Sequence, residues 1–111
     1  MSSGNHVFSI LKNMVSLKKL QKQIYQNKIE KGFNTTDVYK EFCLIQEEVS
    51  ESFRAYHRKE YTVGEELADV VIYVLGLAEI LNINLEKEIV NKIKKNKKRI
   101  YKRIGGVLTK V

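Results

Sequence analysis

Over most of this chain, apolar and polar positions alternate with the period of a helix. Ile10, Met14, Leu17 and Ile24 recur at helical spacing and predict a first helix over about residues 7–28. Lys31-Gly32-Phe33 ends it, because Gly32 can take the left-handed backbone conformation that closes a helix. Asn34-Thr35-Thr36-Asp37 offers an N-cap for a second helix, whose apolar stripe is Val38, Phe42, Ile45, Val49, Phe53 and Tyr56. That helix stops around residues 57–59. Thr62-Val63-Gly64-Glu65 reads as a capping box opening a third helix. This one is apolar on nearly every side, from Leu67 through Val70, Val71, Ile72, Val74, Leu75 and Leu77 to Leu81. Asn82-Ile83-Asn84 breaks it. Asn84 caps a fourth helix running to about residue 100, and a loose or docked tail is expected after Gly105.

The β-branched run 70–74 could form a buried strand, but the apolar pattern continues over residues 67–81, longer than strands usually run. The fold class is therefore all-α, a four-helix arrangement in one domain spanning 1–111, with its core at about 7–100 and a basic tail at 101–111. A helix apolar on all sides is buried on all sides. Three neighbours in a chain this short cover it poorly, so a homodimer or higher oligomer is expected.

Composition sharpens this reading. There is no proline and only six glycines in 111 residues, which favours long helices over a turn-rich fold. No apolar run approaches the length of a membrane span, and no secretory signal opens the chain. A single cysteine, Cys43, excludes an internal disulfide. A cytoplasmic protein with no membrane partner is the expectation. The net charge of +7 conceals segregation: residues 92–110 hold nine Lys/Arg and no acid, whereas residues 41–69 hold eight acids. A basic end suits a polyphosphate or nucleic acid, and an acid-rich middle suits a metal ion.

Two clusters carry candidate chemistry. In Glu47-Glu48-Val49-Ser50-Glu51 and Glu65-Glu66-Leu67-Ala68-Asp69, the pairs Glu48/Glu51 and Glu66/Asp69 stand three apart, on one face of a helix. Asp69 is the only charge between Leu67 and Ala78, in a helix expected to be mostly buried, where a lone carboxylate is costly. Protonation is one escape, and a divalent cation shared between facing carboxylates is another. Mg²⁺ prefers oxygen ligands and keeps several waters, so a few carboxylates and substrate phosphates can complete its shell. Glu-rich helix faces are also commonly just solvated, and spacing alone leaves both readings open. Glu47 and Glu65 point outward, with Glu47 available to a second ion. Farther on, Lys92, Asn96 and Arg99 at i, i+4 and i+7 share one face beside Ile89 and Ile93. Such groups can hold phosphate, although lysines near a helix C-terminus also suit the helix dipole.

Glu48-Val49-Ser50-Glu51, fourteen residues, then Glu66-Leu67-Ala68-Asp69 resembles the EXXE–EXXD signature of the MazG-like, all-α nucleoside triphosphate pyrophosphatases. Glu30-Lys31-Gly32-Phe33 upstream, Ile83-Asn84-Leu85 downstream and the closing Lys92–Asn96–Arg99 are also similar, so the resemblance covers about residues 20–100. It implies a helical bundle paired through helices into a homodimer or homotetramer. It implies hydrolysis of a nucleoside triphosphate to a monophosphate and pyrophosphate, a nucleotide-pool house-cleaning reaction. Glu48, Glu51, Glu66 and Asp69 would hold Mg²⁺, with Mn²⁺ as a substitute. Glu48 or Glu51 would act as the catalytic base, and Lys92, Asn96 and Arg99 would bind the substrate phosphates.

Other readings compete. The same fold serves enzymes acting on phosphoribosyl-ATP, and a dimeric partner that kept the fold could lack activity. A basic helical module binding nucleic acid through residues 94–103 fits the charge run but leaves the acid pairs and Asp69 unexplained. Phe33, Tyr39 and Tyr73 could flank a nucleobase, but core positions are the simpler assignment. Cys43 is assigned to a buried or half-buried helix position, His57 to a helix end and His6 to a mobile terminus.

Overall fold

The computed structural model describes residues 16–111. Four helices follow one another: α1 (Leu17–Lys31), α2 (Val38–His57), α3 (Val63–Ile80) and α4 (Leu85–Lys98). A two-stranded antiparallel hairpin, β1 (Tyr101–Ile104) and β2 (Val107–Lys110), completes the chain. The helical expectation before Ser16 and the assignment of His6 lie outside the described residues.

Local chemistry sets the boundaries. Ser16 Oγ accepts from the Lys19 N–H and starts α1. Gly32, at φ 70°, closes it, and the next N–H, of Phe33, donates to Lys28 O at 2.8 Å. Asp37 caps α2 through the Lys40 N–H, while the Asn34 side chain donates to Asp37 O at 2.9 Å and braces the loop. Asn84 caps α4 through the Lys87 N–H. His57 closes α2, its ring stacked on Phe53. The expected capping box at Thr62 is not made. Its backbone (φ −84°, ψ 3°) is near-helical instead of extended, and its hydroxyl makes no capping bond.

The C-terminal end corrects the sequence reading twice. α4 stops at Lys98, and Arg99 is already extended (φ −71°, ψ 136°). Where a loose or docked tail was expected, a hairpin forms: Tyr101 pairs with Lys110 and Ile104 with Val107. Gly105 and Gly106 both have positive φ (60° and 81°), which a tight two-residue hairpin turn requires and side chains resist.

α3 is the central helix, with α1 and α2 packed against it. The fully buried apolar core is small: Ala55, Leu75, Leu77 and Ala78. Gly76 lets α1 approach closely, since a Cβ there would lie 3.2 Å from Ile24 Cγ2. α4 leans on α1 and buries none of its residues. Gln21 ties these elements together although it is polar and only 2% exposed. Its Nε2 donates to Glu79 Oε2 (2.9 Å) and to Ile83 O (2.7 Å), and its Oε1 accepts from the Leu85 N–H (3.1 Å). The Leu17 N–H adds a bond to Glu86 Oε1 at 3.0 Å.

The apolar stripe of α2 does not face the core. Phe42, Val49, Phe53 and Tyr56 are exposed, and α2 turns Glu41, Ser52 and Ala55 inward instead. Small residues at the last two positions allow close approach to α3. Leu67, Val71 and Ile72 of α3 are exposed as well, so the described residues leave part of the most apolar helix uncovered. Cys43 is exposed and not buried, because it lies beside that outward stripe. Phe33 and Tyr39 are exposed too, whereas Tyr73 is half-buried. Among the described residues, no helix is long and apolar enough to cross a membrane.

Gln21→Leu removes three bonds to part-buried groups of α3 and of the α3–α4 turn. Each such bond contributes about 0.5–1.5 kcal/mol, and about twice that where a charged group takes part. Urea unfolding is expected to show a loss of about 3 kcal/mol or more, against under 1 kcal/mol for the exposed Gln26→Leu.

Candidate functional site

The inward face of α2 carries more than packing residues. Glu48 and Glu51 stand one turn apart on it. Ser52, also turned inward, uses its hydroxyl to donate back to Glu48 O at 3.0 Å and makes no competing contact across the seam. From α3, Glu66 comes up opposite. One carboxylate oxygen each from Glu48, Glu51 and Glu66 lies within 4.8 Å of the others. All three side chains are half-buried.

This crowding has electrostatic consequences. Burial, then the charges of Glu51, Asp69 and Glu66, push the Glu48 carboxyl above its ordinary value. Burial, then Glu51 and Asp69, push Glu66 the same way. Glu48 Oε2 is buried and has no hydrogen-bond partner among the described residues. An acceptor so placed needs a proton or a cation. Oxygen ligands around one Mg²⁺ or Mn²⁺ lie about 3–4 Å apart, so small rotamer adjustments fit these three to such an ion. Asp69 is half-buried beside them, and its charge acts on both Glu48 and Glu66. It is not one of the three whose oxygens converge. Glu47 and Glu65 are exposed.

Lys92 and Asn96 are exposed on α4, and Arg99 is half-buried. Arg99 is the C-cap and so leaves the helix face predicted for it. Lys92 and Arg99 still act on one another: Arg99 first, then burial, Lys95 and Lys110, pull the Lys92 ammonium below its ordinary value. The hairpin contributes Lys110 by folding back. After burial, the charges acting on Glu48 and Glu66 are carboxylates, while those acting on Lys92 are Arg99, Lys95, Lys110 and the Tyr101 phenol.

Sequence reasoning missed a second buried charge. Glu41 is 0% exposed, and its Oε1 is ion-paired with the Lys28 ammonium from α1. That ammonium lies 5.6 Å from the Tyr73 ring centroid. Burial, then Glu48 and Glu41, push the Tyr73 phenol upward. Glu41 precedes Glu48 by seven residues, two helical turns on the same face, and that spacing was the available signal.

A carboxyl with a raised folded-state pKa favours the protonated form on folding. Its stabilising contribution is therefore present below the ordinary value of 4.5 and lost as pH rises through the raised value. Metal-free protein accordingly carries a penalty at neutral pH that a cation relieves. Differential scanning fluorimetry is expected to show Mg²⁺ or Mn²⁺ raising Tm by several degrees at pH 7.5 and by nothing near pH 4.5. Glu48→Gln is expected to raise the metal-free Tm at pH 7.5 and to remove the metal response.

A family model described as the MazG-like family matches residues 35–104, which include both acid pairs, Lys92, Asn96 and Arg99. No curated protein and no solved structure matches the chain. Because the match covers more than half of its length, the chain belongs to the MazG-like family.

Proposed function

We propose that the protein is a Mg²⁺-dependent nucleoside triphosphate pyrophosphohydrolase, converting an NTP or dNTP and water to the monophosphate and pyrophosphate. The observation that carries this reading is the convergence of Glu48, Glu51 and Glu66 around a buried, unpartnered carboxylate oxygen. Family membership supports the reaction class.

In this reading, Glu48, Glu51, Glu66 and Asp69 hold the ion, with Mn²⁺ able to replace Mg²⁺ and Glu47 free to serve a second ion. Bound there, the cation supplies Lewis acidity toward water and toward the phosphoryl oxygens. Glu48 or Glu51 accepts the proton from the water that attacks the α-phosphorus. The bond from that phosphorus to the bridging oxygen breaks, and pyrophosphate leaves. Lys92, Asn96 and Arg99 bind the β- and γ-phosphates and neutralise charge on the departing group.

In this reading the protein is a homodimer or homotetramer, in which a neighbouring copy brings its basic arm to the acidic seam. The exposed stripe Phe42, Val49, Phe53 and Tyr56 offers the apolar surface such pairing needs.

Pyrophosphate release from a panel of NTPs and dNTPs, with and without Mg²⁺, tests the proposal. Turnover is expected only with the metal. Glu48→Gln and Asp69→Asn are expected to lower it about 100-fold or more, and Lys92→Ala to act mainly on KM. Replacing Lys94, Lys95, Lys97 and Lys98 together by Gln is expected to leave hydrolysis largely intact. Full activity in both carboxamide variants would contradict the assignment.

A further inference from the structure

Residues 92–110 hold nine Lys/Arg and no acid, and hydrolysis uses only Lys92 and Arg99 of these. The rest sit elsewhere on the arm that α4 and the hairpin form. At about 100° per residue, Lys94, Lys97 and Lys98 point within about 60° of the direction opposite Lys92. All three are exposed, and α4 buries none of its residues. This outward face stays available when the Lys92 face is turned to a carboxylate seam.

The hairpin adds Lys102, Arg103 and Lys110, all exposed. Residues paired across the strands share a face. Tyr101 and Lys110 therefore stand with Arg103 and Leu108 on one side, and Lys102 and Thr109 with Ile104 and Val107 on the other. Each side mixes cations with apolar groups. A hairpin built to pack on an apolar surface, whether a second copy or a membrane, would segregate them. Its main contacts are between its own two strands.

Among the described residues, none of these cations is ion-paired. Lys94 stands three and four residues from Lys97 and Lys98, a spacing at which like charges destabilise a helix. The helix dipole favours cations in the last turn of α4, but it does not reach those of the hairpin. Unneutralised cations on two successive elements call for a polyanion held at many points.

The shape of the arm narrows the choice. Single strands are gripped by several stacked aromatic rings, and residues 92–110 contain one, Tyr101. Duplex RNA has a major groove too narrow for side chains to read. The major groove of B-form DNA, about 12 Å wide, admits a two-stranded ribbon. Cations on both sides of the ribbon then meet the phosphates of both groove walls, while the outward face of α4, about 21 Å long at 1.5 Å per residue, runs past further phosphates. Lysines on phosphates carry no sequence information.

We infer that the outward face of α4 and the β1–β2 hairpin form a sequence-independent binding arm for the phosphate backbone of duplex DNA. The arm is separate from the hydrolase reading and is measured without Mg²⁺ or nucleotide.

Fluorescence anisotropy of the full chain with labelled duplexes of two unrelated sequences, about 20 base pairs long, tests the arm. Micromolar binding is expected, equal for the two sequences within about threefold. Between about 50 and 200 mM KCl, the slope of log K on log salt is expected at about −3 to −5, since each phosphate neutralised contributes about −0.9. The triple variant Lys94→Gln, Lys97→Gln, Lys98→Gln is expected to weaken binding about tenfold or more and to flatten the slope by about 2 or more. Lys102→Gln, Arg103→Gln, Lys110→Gln is expected to do the same, and it carries the test if the helix triple fails to fold. The exposed α1 lysines supply a control with the same loss of charge: Lys18→Gln, Lys19→Gln, Lys22→Gln is expected to change affinity less than about threefold. An equal loss in that control would overturn the arm by making net charge the cause. Absence of DNA binding would overturn it too, whether the chain then binds phosphatidylserine vesicles or the arm variants only change its oligomeric state in sedimentation. Single-stranded DNA or duplex RNA bound as tightly as duplex DNA would overturn the choice of ligand. None of these results alters the hydrolase reading, which pyrophosphate release tests on its own.

Discussion

Negative charge confined to the seam between α2 and α3 is the constraint around which this structure is organised. Glu48, Glu51 and Glu66 point into one space, with Asp69 beside them. Ser52 and Ala55 on α2 are small enough to let the helices close, and closing them forces the carboxylates together. Apolar residues in these positions would make a more stable seam. The chain instead turns the apolar stripe of α2 outward and keeps the acids in, an arrangement that favours cation binding over the stability of a single chain.

The remaining polar burial serves to position this seam. Gln21 satisfies the turn between α3 and α4 and so sets how α4, with its basic groups, departs from the bundle. The Lys28–Glu41 pair joins α1 to α2, and the Lys28 stem passes over the flat surface that Gly76 leaves on α3. Each of these polar side chains links one helix to another element of the bundle. Breaking one leaves an uncompensated buried group, which costs more than an exposed ion pair could return.

Features that are local in the chain were legible in its sequence. Gly32, Asp37 and Asn84 act through their own side chain or backbone within one turn, and each ends or begins a helix where its chemistry predicts. Periodicity gave the acid pairs their common helix faces. Orientation was harder to read, because the direction a stripe faces is decided by the partner element. Cys43 was assigned to a buried or half-buried position, yet the chain turns the apolar stripe of α2 outward beside it and buries the adjacent face. Thr62 shows that a capping sequence can be present without the backbone geometry that uses it. The hairpin had a readable signal in Gly105-Gly106, but two four-residue strands rich in Lys and Arg give little alternation to support it. Lys28 and Glu41 could not be matched, since nothing local says that α1 and α2 meet there.

Direct observation of the cation tests the central claim. In an electron paramagnetic resonance titration, Mn²⁺ added to the protein should lose its free-ion signal saturably, compete with Mg²⁺, and keep the free-ion signal in Glu66→Gln. Equal Mn²⁺ binding by the unaltered chain and by Glu66→Gln would show that the carboxylates of α2 and α3 do not share an ion.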